Sequence, residues 1–434
     1  KLLAPAYLAV CLSLLTNPAY SQLVQENDWP VFRGPNSNGI SADTNVPVRW
    51  SETENLKWKA GLPGPGSSSP IVLGKHVYVT CYSGYGVESR DPGNPEDLQR
   101  HLVCLDRNTG TVVWSKVVKA AMPEDPYRGF ICEHGYASST PATDGERIYV
   151  FFGKTGVLAF DLDGNQLWQV DVGRGSSRMR WGSAVCPVLY KNMVIISAIG
   201  ESQTILALDK LTGKEIWKVE APGYQPVYGT ALLVETGGLQ NLLIAVPDEV
   251  WSMDPDTGKM RWYAESPSGG NVCPCPIHEN GIIYTHGGIR GPGSMALRIG
   301  GKGDVTDSNT VWTSQTSSYV ATPVLVNGHL YWIDDRGTAV CQSTATGETV
   351  YRERIPGLSG GSRPFYASPI FAAGKLYIPS RRDGTFVLSA KPTFELIAQN
   401  KLPSDETDFN NSPAISDGQL FLRSNLALYC IEAQ

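Results

Sequence analysis

The sequence predicts an all-β fold, an eight-bladed β-propeller of four-stranded antiparallel blades closed by an N-terminal strand that completes the last blade. Three observations lead there. A small-residue phrase recurs eight times along the 434 residues. A tight-turn phrase ending in an aromatic recurs beside it, and the last repeat lacks a strand that the start of the chain can supply.

The first phrase is a small-residue cluster, usually ending in proline: Ser68-Ser69-Pro70, Ser139-Thr140-Pro141, Val185-Cys186-Pro187, Thr230-Ala231, Pro274-Cys275-Pro276, Ala321-Thr322-Pro323, Ala367-Ser368-Pro369 and Asn411-Ser412-Pro413. A short apolar run follows each, then usually a turn and a second run. Asp144-Gly145 before Ile148-Tyr149-Val150 and Asn327-Gly328 before Leu330-Tyr331-Trp332 are hairpin signals, because both central residues of such a turn must accept positive φ. Most repeats are about 45 residues apart, the length of a four-stranded blade. Insertions from Tyr82 to Arg100 and from Ala120 to Glu133 lengthen the first interval.

The second phrase is clearest from Ala207 to Trp217, with copies from Cys104 to Trp114 and Ser252 to Trp262, a shortened one from Ala159 to Trp168 and a degenerate one from Cys341 to Tyr351. In each, a glycine stands four residues before the aromatic. The Asp and Thr of the phrase should bond a tight turn, its Gly should take left-handed φ, and the Trp should pack between neighbouring sheets. Cys104, Cys341 and Cys430 stand where Ala159 and Ala207 stand in other repeats, so they read as buried small residues rather than disulfide or metal partners. Pro413 to Ile431 supplies three strands, and Asn55 to Lys59, with Trp58, supplies the fourth.

Composition agrees: 41% hydrophobic, 18% charged, 45 Gly and 30 Pro suit many short strands and turns. A net charge of -6 without basic runs argues against nucleic acid and against polybasic membrane binding. Residues 1–21 read as a signal peptide cut after Ser21, residues 22–54 as an N-terminal extension, and residues 55–434 as the propeller. The leading apolar run is too short for a transmembrane span, and Val10 before Cys11 disfavours lipoprotein cleavage. The expected location is periplasmic or extracellular. Eight cysteines would remain after cleavage, compatible with disulfides, although spacing does not decide pairing.

The Ala-x-Asp-x-x-Thr-Gly-x-x-x-Trp phrase resembles the tryptophan-docking motif of quinoprotein alcohol dehydrogenase-like propellers. The same repeats occur in bacterial pyrroloquinoline quinone (PQQ)-like proteins, including the lipoprotein B subunit of the outer-membrane barrel-assembly machine. The resemblance covers residues 55–434, and Asp28-Trp29-Pro30-Val31-Phe32-Arg33-Gly34-Pro35 resembles the lead-in of a secreted PQQ-like branch. For a dehydrogenase it implies a quinone at the propeller axis, Ca²⁺ held by carboxylate and amide oxygens, an Asp base and often a disulfide between adjacent cysteines. This chain departs from that pattern. It has no adjacent Cys pair, the nearest being Cys273-Pro274-Cys275, and no matching Glu, Asn and Asp set. No cofactor is therefore expected, with PQQ and calcium as the alternative.

Cys132-x-His134 and Cys273-x-Cys275-x-x-His278 carry soft ligands, but on separated repeats, so no metal site is assigned. No zinc-protease motif or phosphate loop is present, and Gly300 to Asp304 reads as a flexible turn. Aromatics do recur just before the first strand of successive blades: Tyr136, Trp181, Tyr228, Tyr319, Tyr366 and Phe409. These should gather at one mouth of the central channel, although wedging between blades is an equal reading. Arg180, Arg290 and Arg363 stand near them with His134 and Asn410, as do Arg128, Arg178, Arg381 and Arg382. Aromatic faces with guanidinium donors suit sugars, peptides or anions. The expectation is a monomeric, non-catalytic binding or scaffolding module that takes a protein, peptide or carbohydrate ligand at this mouth. A PQQ-dependent oxidoreductase and a carbohydrate-active enzyme are the alternatives.

Overall fold

Runs of three to eight residues with apolar side chains, broken by glycine-rich turns, fold here as short antiparallel strands. The computed structural model describes residues 24–433 except 89, 225–226 and 289–292. The expected signal peptide and Arg290 lie outside these residues. The described residues form eight sheets, seven of four strands and one of five. In chain order the blades span 71–119, 142–170, 188–220, 232–265, 277–314, 324–354, 370–400 and 414–431. Apolar clusters fill the space between neighbouring sheets. Tyr78, Leu102 and Cys104 of blade 1, for example, pack against Ile148, Val150, Leu158 and Phe160 of blade 2.

The ring closes as the repeat count requires. The strand Leu56–Gly61 pairs antiparallel with Ala427–Ile431, placing Trp58 opposite Cys430. It supplies the outer strand of blade 8. Arg107 of blade 1 reaches across the same seam, donating to Gln419 Oε1 at 2.6 Å and pairing with Asp417 at 3.0 Å.

The tryptophan phrase works as expected. Ala207, Cys104 and Ser252 face Trp217, Trp114 and Trp262 across a bulge in the outer strand pair. The indoles of Trp114 and Trp217 lie over the turn glycines Gly164 and Gly258 of the next blade. A Cβ on Gly258 would stand 2.6 Å from Trp217, and Gly258 has φ +71°. The indole N–H of Trp217 donates to Pro255 O at 3.0 Å. Trp58, Trp114, Trp168 and Trp312 make the same bond to Arg107, Leu162, Lys210 and Thr344. In the turn itself, Asp209 accepts from the Thr212 N–H and hydroxyl, and that bonding holds its carboxyl below the usual range.

Two details differ from the sequence reading, and the repeat cysteines agree with it. Asn327 and Gly328 both have positive φ, but at Asp144-Gly145 only Gly145 does. There Asp144 Oδ1 instead accepts from the Glu146 and Arg147 N–H groups, an Asx-type turn that needs no left-handed Asp. Gly303–Asp304, expected as plain turn, pairs in parallel with the outer strand of blade 4 beside Trp262. Cys104, Cys341 and Cys430 are fully buried, and the described cysteines are all free thiols.

The extension ahead of the propeller is ordered against it. Trp29 bridges to Val72, Pro30 O accepts from Thr143 N, and Ile40 bridges to Phe371, so the segment crosses one face of the ring. Arg33 is buried at its centre, donating to Asn38 O, Thr322 O and Pro323 O at 2.9–3.0 Å. Among the described residues no helix is long and apolar enough to cross a membrane.

Candidate functional site at the channel mouth

The eight small-residue phrases meet around the axis, where their spacing has a physical explanation. Ser69 N–H donates to Thr140 Oγ1, Thr140 N–H to Cys186 Sγ, Cys186 N–H to Thr230 Oγ1, and Thr230 N–H to Cys275 Sγ. Cys275 N–H donates to Thr322 Oγ1, Thr322 N–H to Ser368 Oγ, Ser368 N–H to Ser412 Oγ, and Ser412 N–H back to Ser69 Oγ. The belt is continuous. Each blade needs a short side chain with an acceptor atom at this position, because the strand edge facing the axis would otherwise leave its N–H unpaired. Cys186 and Cys275 fill slots that Ser or Thr holds elsewhere. Burial pushes the Cys186 thiol up to about 11, so it sits there as a neutral acceptor.

This belt is the floor of a well of about 180 Å³. Phe32 of the extension lines the well and also the groove on the opposite face, so it separates the two and makes the channel a dead end. Phe130, Trp181, Tyr228, Tyr319 and Tyr366 form the walls. Trp181 stacks on Tyr228 at 5.8 Å and 22°, and Phe130 meets Trp181 at 4.4 Å. His134 and Asn410 line the same space.

Of the residues singled out from sequence, the structure brings His134, Trp181, Tyr228, Tyr319, Tyr366 and Asn410 together in the well. Arg363 stands beside them, its guanidinium 4.4 Å from the Phe130 ring centre and 5.6 Å from that of Tyr319. Tyr136 is elsewhere, buried among Tyr82, Tyr85 and Tyr127 with its hydroxyl donating to Asp125 O at 2.8 Å. Phe409 likewise stacks on Tyr429 within blade 8, and Arg180 is exposed in its loop outside the well lining. For Tyr136 and Phe409 the wedging reading is the better description.

The arginines near the mouth hold the rim together. Arg381 pairs with Glu133 at 2.5 Å and with Asp408, lies 5.1 Å over Tyr366, and donates to Asn410 Oδ1 at 3.0 Å. Asn410 Nδ2 in turn donates to Glu133 O at 2.6 Å. These contacts fasten the short helix Ile131–His134, which carries Phe130 at its start, across the mouth. His134 Nδ1 lies 2.6 Å from Ser138 Oγ, and burial lowers the imidazole to about 4, so it is neutral at physiological pH. Cys273 and His278 do not converge, since Cys273 lines the well and His278 the groove on the opposite face.

Sequence reasoning missed Phe130 and Asn411. Phe130 sits inside an insertion, where no repeat position marks it. Asn411 stands before Ser412 of the belt, a position whose counterparts in the other blades do not line the well, so no repeat rule marks it.

A family model described as outer membrane protein assembly factor BamB matches residues 96–220, from late blade 1 through blade 3. A polyvinylalcohol dehydrogenase from Pseudomonas sp is 21% identical over 269 residues, spanning 52% of this chain and 38% of that protein. Among solved structures, BamB from Moraxella catarrhalis aligns with a TM-score of 0.56 and 14% identity, covering 87% of this chain and 99% of that one. Quinohemoprotein alcohol dehydrogenase from Comamonas testosteroni aligns with a TM-score of 0.58 and 11% identity over 95% of this chain and 82% of its own. With the docking turns and the eight-sheet ring, the solved structures show that this chain shares its fold with BamB and the quinohemoprotein alcohol dehydrogenase, while the BamB family model matches its residues 96–220.

Proposed function

We propose that this protein is a non-catalytic binding module of the cell envelope, which takes its ligand in the aromatic well at the open mouth of the channel. The observation that carries this reading is the dead-ended well itself, with aromatic walls and a floor of small polar side chains. Pockets of this make-up, largely apolar with a few polar groups, are where proteins bind small ligands or single side chains. The signal-peptide reading of residues 1–21 and the likeness to an outer membrane protein assembly factor support an exported location.

The same well is poorly suited to a quinone. PQQ is a planar tricarboxylate, which calls for cationic partners and an oxygen-ligated metal beside it. Among the described residues the well lining has no Lys or Arg, and its one carboxylate, Glu133, is tied to Arg381. No group of three or more His, Cys, Asp or Glu side chains among them converges as metal ligands do. The thiols are equally unsuited to covalent chemistry, since burial pushes Cys273 up to about 12.

Titration of the protein with PQQ and Ca²⁺, followed by dye-linked alcohol oxidation, tests this. The expected result is neither saturable uptake nor turnover. Saturable binding with turnover would replace the binding module with an oxidoreductase.

A further inference from the structure

We infer that the well receives one hydroxyl-bearing ring, the terminal sugar of an oligosaccharide. This rests on the proposal that the mouth is a ligand site and names what that site selects. Size sets the first limit. A void of 180 Å³ is close to the roughly 150 Å³ cavity that holds one benzene, so a single six-membered ring fits within it.

Charge sets the second limit. The lining itself holds no Lys or Arg among the described residues, and Arg363 beside it has its Nη1 buried without a hydrogen-bond partner among them. A quaternary ammonium would suit aromatic walls in general. Here, however, Arg363 already lies over Phe130 and Tyr319, and Arg381 over Tyr366. A second cation would be repelled by both. The guest is therefore not a cation.

Hydrogen bonding sets the third. Asn411 is 2% exposed and lines the well. Its Nδ2 donates to Arg423 O at 2.8 Å, while its Oδ1 is buried without a hydrogen-bond partner among the described residues. A buried acceptor left in that state calls for a donor from the guest. The belt hydroxyls beneath it make the floor polar as well, a poor seat for the apolar tip of a side chain. A pyranose satisfies both demands, with hydroxyls around its edge for Asn411 and the floor and a C–H face for the Trp181–Tyr228 shelf. The rest of the saccharide would leave through the open mouth.

The test is saturation-transfer NMR and calorimetry on the whole protein with methyl pyranosides of glucose, galactose, mannose and N-acetylglucosamine, their disaccharides, and N-acetyl-tyrosinamide as a peptide probe. The expected result is saturable binding of at least one pyranoside, with the ring-face protons most strongly saturated. Trp181→Ala should weaken it about tenfold or more, and Asn411→Ala should weaken it severalfold. Melting curves check that both variants fold; if Asn411→Ala does not, Trp181→Ala carries the test. Binding of N-acetyl-tyrosinamide, but of no pyranoside, with loss in Trp181→Ala would overturn the sugar assignment and leave the mouth as a peptide site. No Trp181-dependent signal from any probe would overturn both.

Discussion

Glu201 is a buried carboxylic acid between blades 2 and 3. It accepts from the Ser183 hydroxyl and has Lys154 and Glu124 as charged neighbours. Burial raises it to about 7, with Glu124 adding to the rise and Lys154 and Ser183 opposing it. The folded protein thus keeps a proton that the unfolded chain gives up near the ordinary carboxyl value. Stability from this group is fully present below that value and is lost as pH rises toward and through 7, by about 3 kcal/mol. Glu201→Gln should remove that slope. Urea midpoints at pH 5 and pH 8 are the measurement: wild type should lose ground at pH 8 relative to the variant, and parallel losses would refute the assignment. Nearby, Lys154 pairs with Asp125 at 3.1 Å and donates to Ser176 at 2.8 Å, binding together the loops that carry Phe130 and Trp181. A polar cluster under the mouth therefore sets the position of its aromatic wall.

At the scale of elements, the seams between blades decide stability. Trp217 fills the seam between blades 3 and 4, buried over Gly258. Trp217→Ala should cost about 3–5 kcal/mol, read from the shift in denaturation midpoint, because the glycine turn beneath cannot move up to fill the void. The seams that carry the tryptophan phrase were legible from sequence, since one short turn encodes bond, glycine and indole together. Others were not. At blades 4 and 5 the segment 300–309 replaces the tight turn, and Trp262 packs with Val305 instead. Blade 7 has Ala398 where others carry Trp, and Trp50 of the extension packs there, its backbone N–H donating to Asn400 Oδ1 at 3.0 Å. That pairing joins residues 350 apart, and no local pattern announces it. The mouth divides in the same way. Trp181, Tyr228, Tyr319 and Tyr366 were readable because they precede the belt residues of their blades. Tyr136 obeys the same rule, yet it packs among the tyrosines of the blade 1 insertions, whose course the repeat does not dictate.

Over the whole molecule, the extension does two jobs that the repeat count alone does not reveal. It plugs one end of the channel with Phe32, and it is locked there by Arg33, whose burial lowers its guanidinium to about 10 without discharging it at neutral pH. Arg33→Met should leave the carbonyls of Asn38, Thr322 and Pro323 without their donor, at a cost of about 3 kcal/mol or more. Hydrogen exchange over residues 28–41 should then accelerate while blades 3 to 5 keep their protection; unchanged exchange would mean that the backbone contacts of Trp29, Pro30 and Ile40 hold the plug without Arg33.

The seam that joins Leu56–Gly61 to Ala427–Ile431 also has a consequence in time. On a ribosome or in a translocation pore, the early strand emerges some 370 residues before its partner. Until then blade 8 does not exist, Trp58 has no Cys430 to face, and the plug lacks the late blades it ties together. Newly made chain is thus held open by its own topology through nearly all of its synthesis. Closure comes last, in a single step that joins the two ends.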